Sequence, residues 1–298
     1  MSEAQSSTPP EEFNGRLSTG KDWTEIVAWV NDLPPLPHVA SQALVLVEDP
    51  DTTAQKLTNL LGQDTALAAR VLKIANSAMF ACQREITTLN QAIMVIGFKS
   101  LKGIIVAATL RQLSRNFGNI EKMIWENSTC TAVGCYQLAQ QLKKPYMDEV
   151  FLLGLLHDLG KLVLVRQIPK EYQKIVDGVK KGKLFTDVEQ DTLGYAHALI
   201  GALVAKKWNF SLDTCQVILH HHDPLDDTVT DLQEEKTAVV VAADLIAHQL
   251  GFGHPQGYPD PAPEMARALK RIGVAETEHE ALLTRVKEAF DQQASVFN

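Results

Sequence analysis

From about residue 38 onward the chain reads as helix after helix. Apolar residues recur at three- and four-residue spacing, and Gly, Pro and Asp mark the breaks. No stretch alternates apolar and polar residues long enough to require a strand. An amphipathic helix hides only one face, so a chain built of them must stack helix on helix. The expectation is an all-α, multi-helical fold with short links.

The breaks define the elements. Trp23–Val30 reads as a short amphipathic helix, and Leu33-Pro34-Pro35-Leu36-Pro37 as a rigid extended linker, because three prolines fix φ and remove donors. His38–Glu48 stops at Asp49-Pro50. Thr52 or Thr53 is placed to cap the next helix and Gly62 to end it, and Asp64 is placed to cap Thr65–Ser77. Thr88–Ile96 and Ser100–Leu113 form a pair about Gly97. Helices are predicted over Ile120–Leu142, Asp148–Leu156, Lys161–Arg166, Pro169–Lys181, Asp191–Trp208, Ser211–His222 and Glu234–Leu250. A Gly/Pro-rich loop, Gly251–Pro263, precedes helices over Glu264–Ile272 and Glu278–Phe297. Residues 1–21, polar and rich in Ser, Pro and Glu, read as a disordered tail. The breaks leave this tail at one end and, over 251–298, a C-terminal loop with helices at the other.

Composition removes several classes. With 45% apolar and 21% charged residues in 298, the chain is neither wholly disordered nor collagen-like. A net charge of −8 repels phosphate backbones and disfavours nonspecific nucleic-acid binding. Leu57–Asn76 and Thr88–Leu110 each have a helix, Gly turn, helix pattern. Their second helices carry few bases (Arg70 and Lys73, then Lys102 and Arg111), so a nucleic-acid reader is the least favoured class. Four cysteines without a CxxC pair (Cys82, Cys130, Cys135, Cys215) are expected as reduced core thiols. The apolar runs Ile104–Leu110 and Val150–Leu156 fall short of the ~20 residues of a membrane span. With no secretory leader in the polar N-terminus, a cytoplasmic location is expected.

The informative residues are histidines and aspartates on apolar helices. His157-Asp158 directly follows Phe151–Leu156, His197 lies among Ala196, Leu199, Ile200 and Leu203, and Asp244 interrupts an otherwise apolar face. His220-His221-His222-Asp223 ends a helix before Pro224. Ionisable groups in such settings must be paired or metal-bound. Nitrogen and carboxylate ligands together suit Fe, Mn, Zn or Mg. Each residue also has a plainer reading: a hydrogen-bonded core histidine, a histidine set complementing the negative end of a helix dipole, or an aspartate paired with a base.

Taken in order, the set resembles the HD-domain metal-dependent phosphohydrolases, whose pattern is H…HD…H…HH…D. Leu33–Pro37, Asp64-Thr65-Ala66-Leu67, Arg70–Ser77, Ile86–Ile93 and Ile96-Gly97 resemble the N-terminal half of the HD-related output domain, HDOD, and Trp125–Asp244 resembles its HD-like half. The resemblance implies metal ligands at His157, Asp158, His197, His221, His222 and Asp244, with Lys161 of His157-Asp158-Leu159-Gly160-Lys161 meeting a phosphate if the site is active. One departure is decisive. The first ligand of HD hydrolases is a histidine in a Trp-x-His-Ser context, and here Trp125-Glu126-Asn127-Ser128 puts Asn127 in its place. An amide oxygen is a poor substitute for imidazole toward transition metals, so the HD-like half reads as degenerate. The wild type is expected to hold little metal, and Asn127→His to raise its occupancy. Gly257-Tyr258-Pro259 matches a tripeptide of the cyclic-di-GMP phosphodiesterase branch. It lies 35 residues after His222 and beyond Asp244, and reads as a loop coincidence.

The resemblance implies an HDOD module over 22–250, with an N-terminal helical half over 22–118 packed on a degenerate HD-like half over 119–250. It further implies a bacterial-type, non-catalytic signalling protein acting through contact with a separate protein chain or a small ligand, such as a nucleotide or phosphate. The alternative is a metal-dependent phosphohydrolase or cyclic-dinucleotide phosphodiesterase working with a partial HD site. A nucleic-acid-binding helical protein is the third reading.

Overall fold

The computed structural model describes residues 13, 16–17, 22–33, 35–76, 85–113, 118–224 and 228–297. Among them are fifteen α-helices and no strand, with a single β-bridge between Leu17 and Tyr195. Pro34, Ser77, Cys82 and all of the expected tail except Phe13, Arg16 and Leu17 lie outside the described residues.

The N-terminal half comprises α1 (Trp23–Asn31), α2 (His38–Glu48), α3 (Ala54–Leu61), α4 (Thr65–Ala75) and α5 (Leu89–Leu113). Its caps are those legible in the sequence. Thr53 accepts from Lys56 N, and Asp64 accepts from Ala66 N and Leu67 N at 3.0 Å each. Gly97 breaks α5 with φ +76, a conformation open to glycine and strained for other residues. Of the bases that gave this half a nucleic-acid reading, Arg70 donates to Ala108 O and Lys102 pairs with Glu48.

The second half comprises α6 (Asn119–Gln141), α7 (Met147–Leu156), α8 (Leu159–Gln167), α9 (Pro169–Val179), α10 (Phe185–Leu193), α11 (His197–Lys207), α12 (Leu212–His220) and α13 (Leu232–Gln249). Helix α5 packs on α7, and α1 on α11, which joins the halves into one body. Helices α14 (Ala262–Arg271) and α15 (His279–Phe297) extend the second half. Leu269, Leu282, Val286 and Phe290 share a core with Leu138 of α6 and Val239 of α13. Cys130, Cys135 and Cys215 are buried thiols within the fold.

Two differences from the sequence reading matter for the site. The helix expected over Asp191–Trp208 is broken at Gly194, with φ +82: its first three residues end α10, which begins at Phe185 ahead of the expected start, and α11 begins at His197. Periodicity alone runs through this break, because the apolar spacing continues on both sides. The break puts His197 at the head of a helix instead of in its middle. The second difference concerns the expected tail. Phe13 is buried against the Trp23 ring, and Arg16 grips both carboxylate oxygens of Asp223 at 2.6 Å and contacts His220 Nδ1 at 2.8 Å. A polar, Pro-rich composition signals disorder on average, and these two side chains find long-range partners that composition cannot reveal.

Candidate metal centre

Three close helix approaches build the site. Helices α6 and α13 meet where Gly134 faces Ala243, one residue before Asp244. Helices α8 and α11 cross at Gly160, where an added Cβ would lie 1.9 Å from His197 O. Only a glycine fits there, and the crossing draws Asp158 and Lys161, on either side of it, against His197. Gly201 lies at the same crossing, its own added Cβ 2.9 Å from Ile218 of α12. Helix α12 ends at His221 and His222, so all the implied ligands come to one place.

His157, Asp158, Lys161, His197 and Asn127 are at most 1% exposed, His221 is 2% and Asp244 5%, whereas His222 is exposed at the mouth. On one side stand Asn127, His157 and Asp244. The Asn127 amide donates to Asp244 Oδ1 at 2.8 Å and to Asp158 Oδ2 at 3.3 Å, with His157 Nε2 3.4 Å away. His157 Nε2 is also 3.2 Å from Asp244 Oδ1. Asp158 Oδ2 receives the Lys161 ammonium at 2.9 Å, and that ammonium also sits 4.6 Å from the Phe185 ring centroid.

On the other side stand Asp158 Oδ1, His197, His221 and His222, whose ligand atoms all lie within 4.8 Å of one another. His197 Nε2 is 3.1 Å from Asp158 Oδ1, 3.1 Å from His222 Nε2 and 3.4 Å from His221 Nε2. The tautomers follow from the outer partners. A carboxylate or carbonyl oxygen only accepts, so His197 Nδ1 donates to Glu189 Oε2 at 2.6 Å and His221 Nδ1 donates to Ile218 O at 2.7 Å. Both Nε2 atoms therefore point inward, toward a buried carboxylate oxygen on which no hydrogen bond is aligned. Imidazole nitrogens converging on such an oxygen are the donor set of a borderline divalent ion such as Zn, Fe or Mn.

The electrostatics agree. Burial pushes the Asp158 carboxyl up, and the Lys161 and His157 charges, with the His197 and His221 rings close by, reverse this and hold it well below the usual carboxylate range. Burial likewise opposes a proton on His197, but the Glu189 charge and the Asp158 bond raise its pKa. Burial lowers His221 to about 4, so it presents a neutral ring.

Two residues were not found from sequence. Glu189 is fully buried on α10 and accepts from His197 N at 2.8 Å, from His197 Nδ1 and from the Tyr172 hydroxyl at 3.2 Å. Only recognition of the break at Gly194 would have pointed to it. Gly253, at φ +83, lies against Asn127, and an added Cβ there would fall 2.4 Å from Asn127 Cγ. The loop after α13 therefore roofs the Asn127 side. An imidazole at 127 would bring two more ring atoms under that roof, a constraint the sequence alone does not show. Tyr258 stacks on His248 and His254 in the same loop.

An all-helical body with a buried His/Asp cluster where α6, α8, α11, α12 and α13 meet has the architecture of an HD-type helical protein. A family model described as the HDOD domain matches residues 33–224, well over half of the chain, and the chain belongs to that family. A relative from Treponema pallidum (strain Nichols), described only as an uncharacterized protein, is 24% identical over 217 residues, 72% of this chain and 42% of the relative. The chain spans less than half the length of the curated relatives it matches. The fold is similar to that of a provisionally assigned phosphohydrolase from Shewanella amazonensis SB2B, with a TM-score of 0.73 at 24% identity, covering 92% of this chain and 98% of that one. It is also similar to a provisionally assigned signal transduction protein from Marinobacter aquaeolei VT8, with a TM-score of 0.68 at 19% identity, covering 94% of this chain and 62% of that one. Among the described residues, no single helix is long and apolar enough to cross a membrane.

Proposed function

We propose that the chain is a non-catalytic HDOD regulatory protein that acts by contact with a separate signalling chain or a small ligand, its HD-like half serving as a scaffold. The observation that carries this reading is the Asn127 amide. It donates to Asp244 and Asp158 at the point where an HD hydrolase needs its first metal-ligating histidine. A neutral donor there satisfies the carboxylates that a paired-ion centre would use. On this reading one divalent ion at most is held, by Asp158, His197, His221 and His222, and when bound it supplies a fixed positive charge that ties α8, α11 and α12 together.

A metal-dependent phosphohydrolase is the second reading, favoured by the convergence of those four ligands. Lys161 weighs against it. Its ammonium is 1% exposed and paired with Asp158, so meeting a substrate phosphate would require breaking a buried ion pair.

The test is elemental analysis of protein purified without chelators, beside hydrolysis of cyclic dinucleotides and phosphomonoesters with added Mn and Fe. The expected result is no turnover above a His157→Ala control and no more than one ion per chain. Two ions with turnover abolished by His157→Ala would replace the regulatory reading with the hydrolase.

A further inference from the structure

We infer that Glu189 is a positioning residue that sets the affinity of the Asp158, His197, His221 and His222 cluster for a divalent ion, acting through His197. The inference rests on the reading that this cluster holds an ion.

Glu189 is a carboxylate at 0% exposure, and nothing in the implied ligand set explains it. A charge so placed is retained only where specific donors satisfy it. Three donors do so: His197 N and His197 Nδ1 on Oε2, and the hydroxyl of the equally buried Tyr172 on Oε1. Two of the three belong to one residue eight positions away, across the Gly194 break. The contact holds the His197 backbone at the head of α11 and its ring at Nδ1 on the same carboxylate oxygen, so the ring can neither rotate nor change tautomer without losing the Nδ1 bond. The opposite nitrogen, Nε2, is thereby aimed at Asp158 Oδ1, His221 and His222.

Among the histidines of the cluster this arrangement is unequal. His157 Nδ1 donates to Gly154 O and His221 Nδ1 to Ile218 O, both neutral carbonyls of the preceding helical turn. Of these three rings, only His197 has a carboxylate behind its Nδ1. A carboxylate behind an imidazole raises the basicity of the opposite nitrogen, and loss of such a partner weakens metal binding about 10–100-fold. His197 is thus the ligand whose donor strength the protein sets from behind, and Tyr172 fixes the carboxylate that does so.

The test uses the full chain, stripped with chelator, as wild type, Glu189→Ala, Glu189→Gln, Tyr172→Phe and His197→Ala. The probe is Co(II), followed by its visible absorption and by competition with a chelator. Glu189→Ala is expected to bind Co(II) about 10–100-fold more weakly with an altered visible band. Glu189→Gln, which still offers an oxygen to His197, should fall between it and wild type. Tyr172→Phe should shift affinity in the same direction by less, and it keeps the proposal testable should Glu189→Ala fail to fold. A readout without metal is the downfield His197 Nδ1–H proton resonance, assigned by its loss in His197→Ala. It should be present in the stripped wild type and absent from Glu189→Ala.

A Glu189 that served only to stabilise the fold would lower the melting temperature and leave the Co(II) affinity of the folded protein unchanged. Wild-type affinity in Glu189→Ala, beside loss of binding in His197→Ala, overturns the inference alone. A wild type that takes up no Co(II) while showing the His197 ring proton overturns the ion reading, and the inference with it.

Discussion

The two sides of the buried cluster contain similar groups and satisfy them in opposite ways. Around Asp244 the Asn127 amide supplies the donor, at 2.8 Å, and the Gly253 loop closes over it. Around Asp158 Oδ1 the nearest atoms are imidazole nitrogens whose protons point outward, so the set needs a cation or a shared proton at its centre. One side is finished by the polypeptide itself and the other is built to receive something. A single position, residue 127, accounts for the contrast. An amide there is a donor, and an imidazole with its lone pair turned inward would be one more acceptor.

The largest effect should come from the residue common to both sides. Asp158→Ala leaves the buried Lys161 ammonium and the surrounding imidazoles without their counter-charge, and breaking a buried pair this way destabilises by about 3–5 kcal/mol. Chemical denaturation measures it, and a loss below about 1 kcal/mol would show that Asp158 is not the hub of the cluster.

Asn127→Ala should be milder, about 1–3 kcal/mol, because it removes one buried donor from Asp244 and Asp158 while Lys161 and His157 stay beside them. The same variant should leave ion binding by the opposite side unchanged. A fall in Co(II) affinity with Asn127→Ala would join the two sides into one centre and dissolve the comparison.

Asn127→His sharpens it further. The notion that a histidine rebuilds the first ligand position meets the contact with Gly253. The variant is therefore expected to be less stable than wild type and to gain no second ion by elemental analysis. A second ion with unchanged stability would show that the loop yields freely.

The smallest effect belongs to Arg16→Ala, remote from both sides. Its forked pair with Asp223 is only partly buried, with side-chain exposures of 26% and 35%, and is expected to contribute no more than about 1 kcal/mol. A larger loss by denaturation would mean that the N-terminal segment braces the helix end carrying His221 and His222.

The sequence carried the fold further than the site. Helix caps such as Asp64 and breaks such as Gly97 follow from local rules, because the groups that decide them lie within a few residues. The His/Asp set was legible because ionisable residues on apolar helices stand out against their surroundings. Glu189 was not, since it sits in a segment with Asp187, Gln190 and Asp191 where one more acid is unremarkable by composition. Its burial depends on α10 folding back across Gly194, and residues 185–190 of that helix carry no periodic signal strong enough to mark it. The Gly253 contact was hidden for the same reason: it joins positions 127 and 253, and nothing near either one announces the other.

The glycine crossing of α8 and α11 has a consequence for motion. Gly160 sits between Asp158 and Lys161 and faces the carbonyl of His197 so closely that no side chain fits, so the charged residues flank the closest approach of the two helices. Opening of α11 away from α8 must separate His197 from Asp158 and part the two backbones together. In hydrogen-exchange measurements the amides around residues 158–161 and at the start of α11 should therefore exchange only through the largest opening events, while amides near His222 at the mouth exchange through small ones. The interior of the cluster is a slow clock set inside a faster rim.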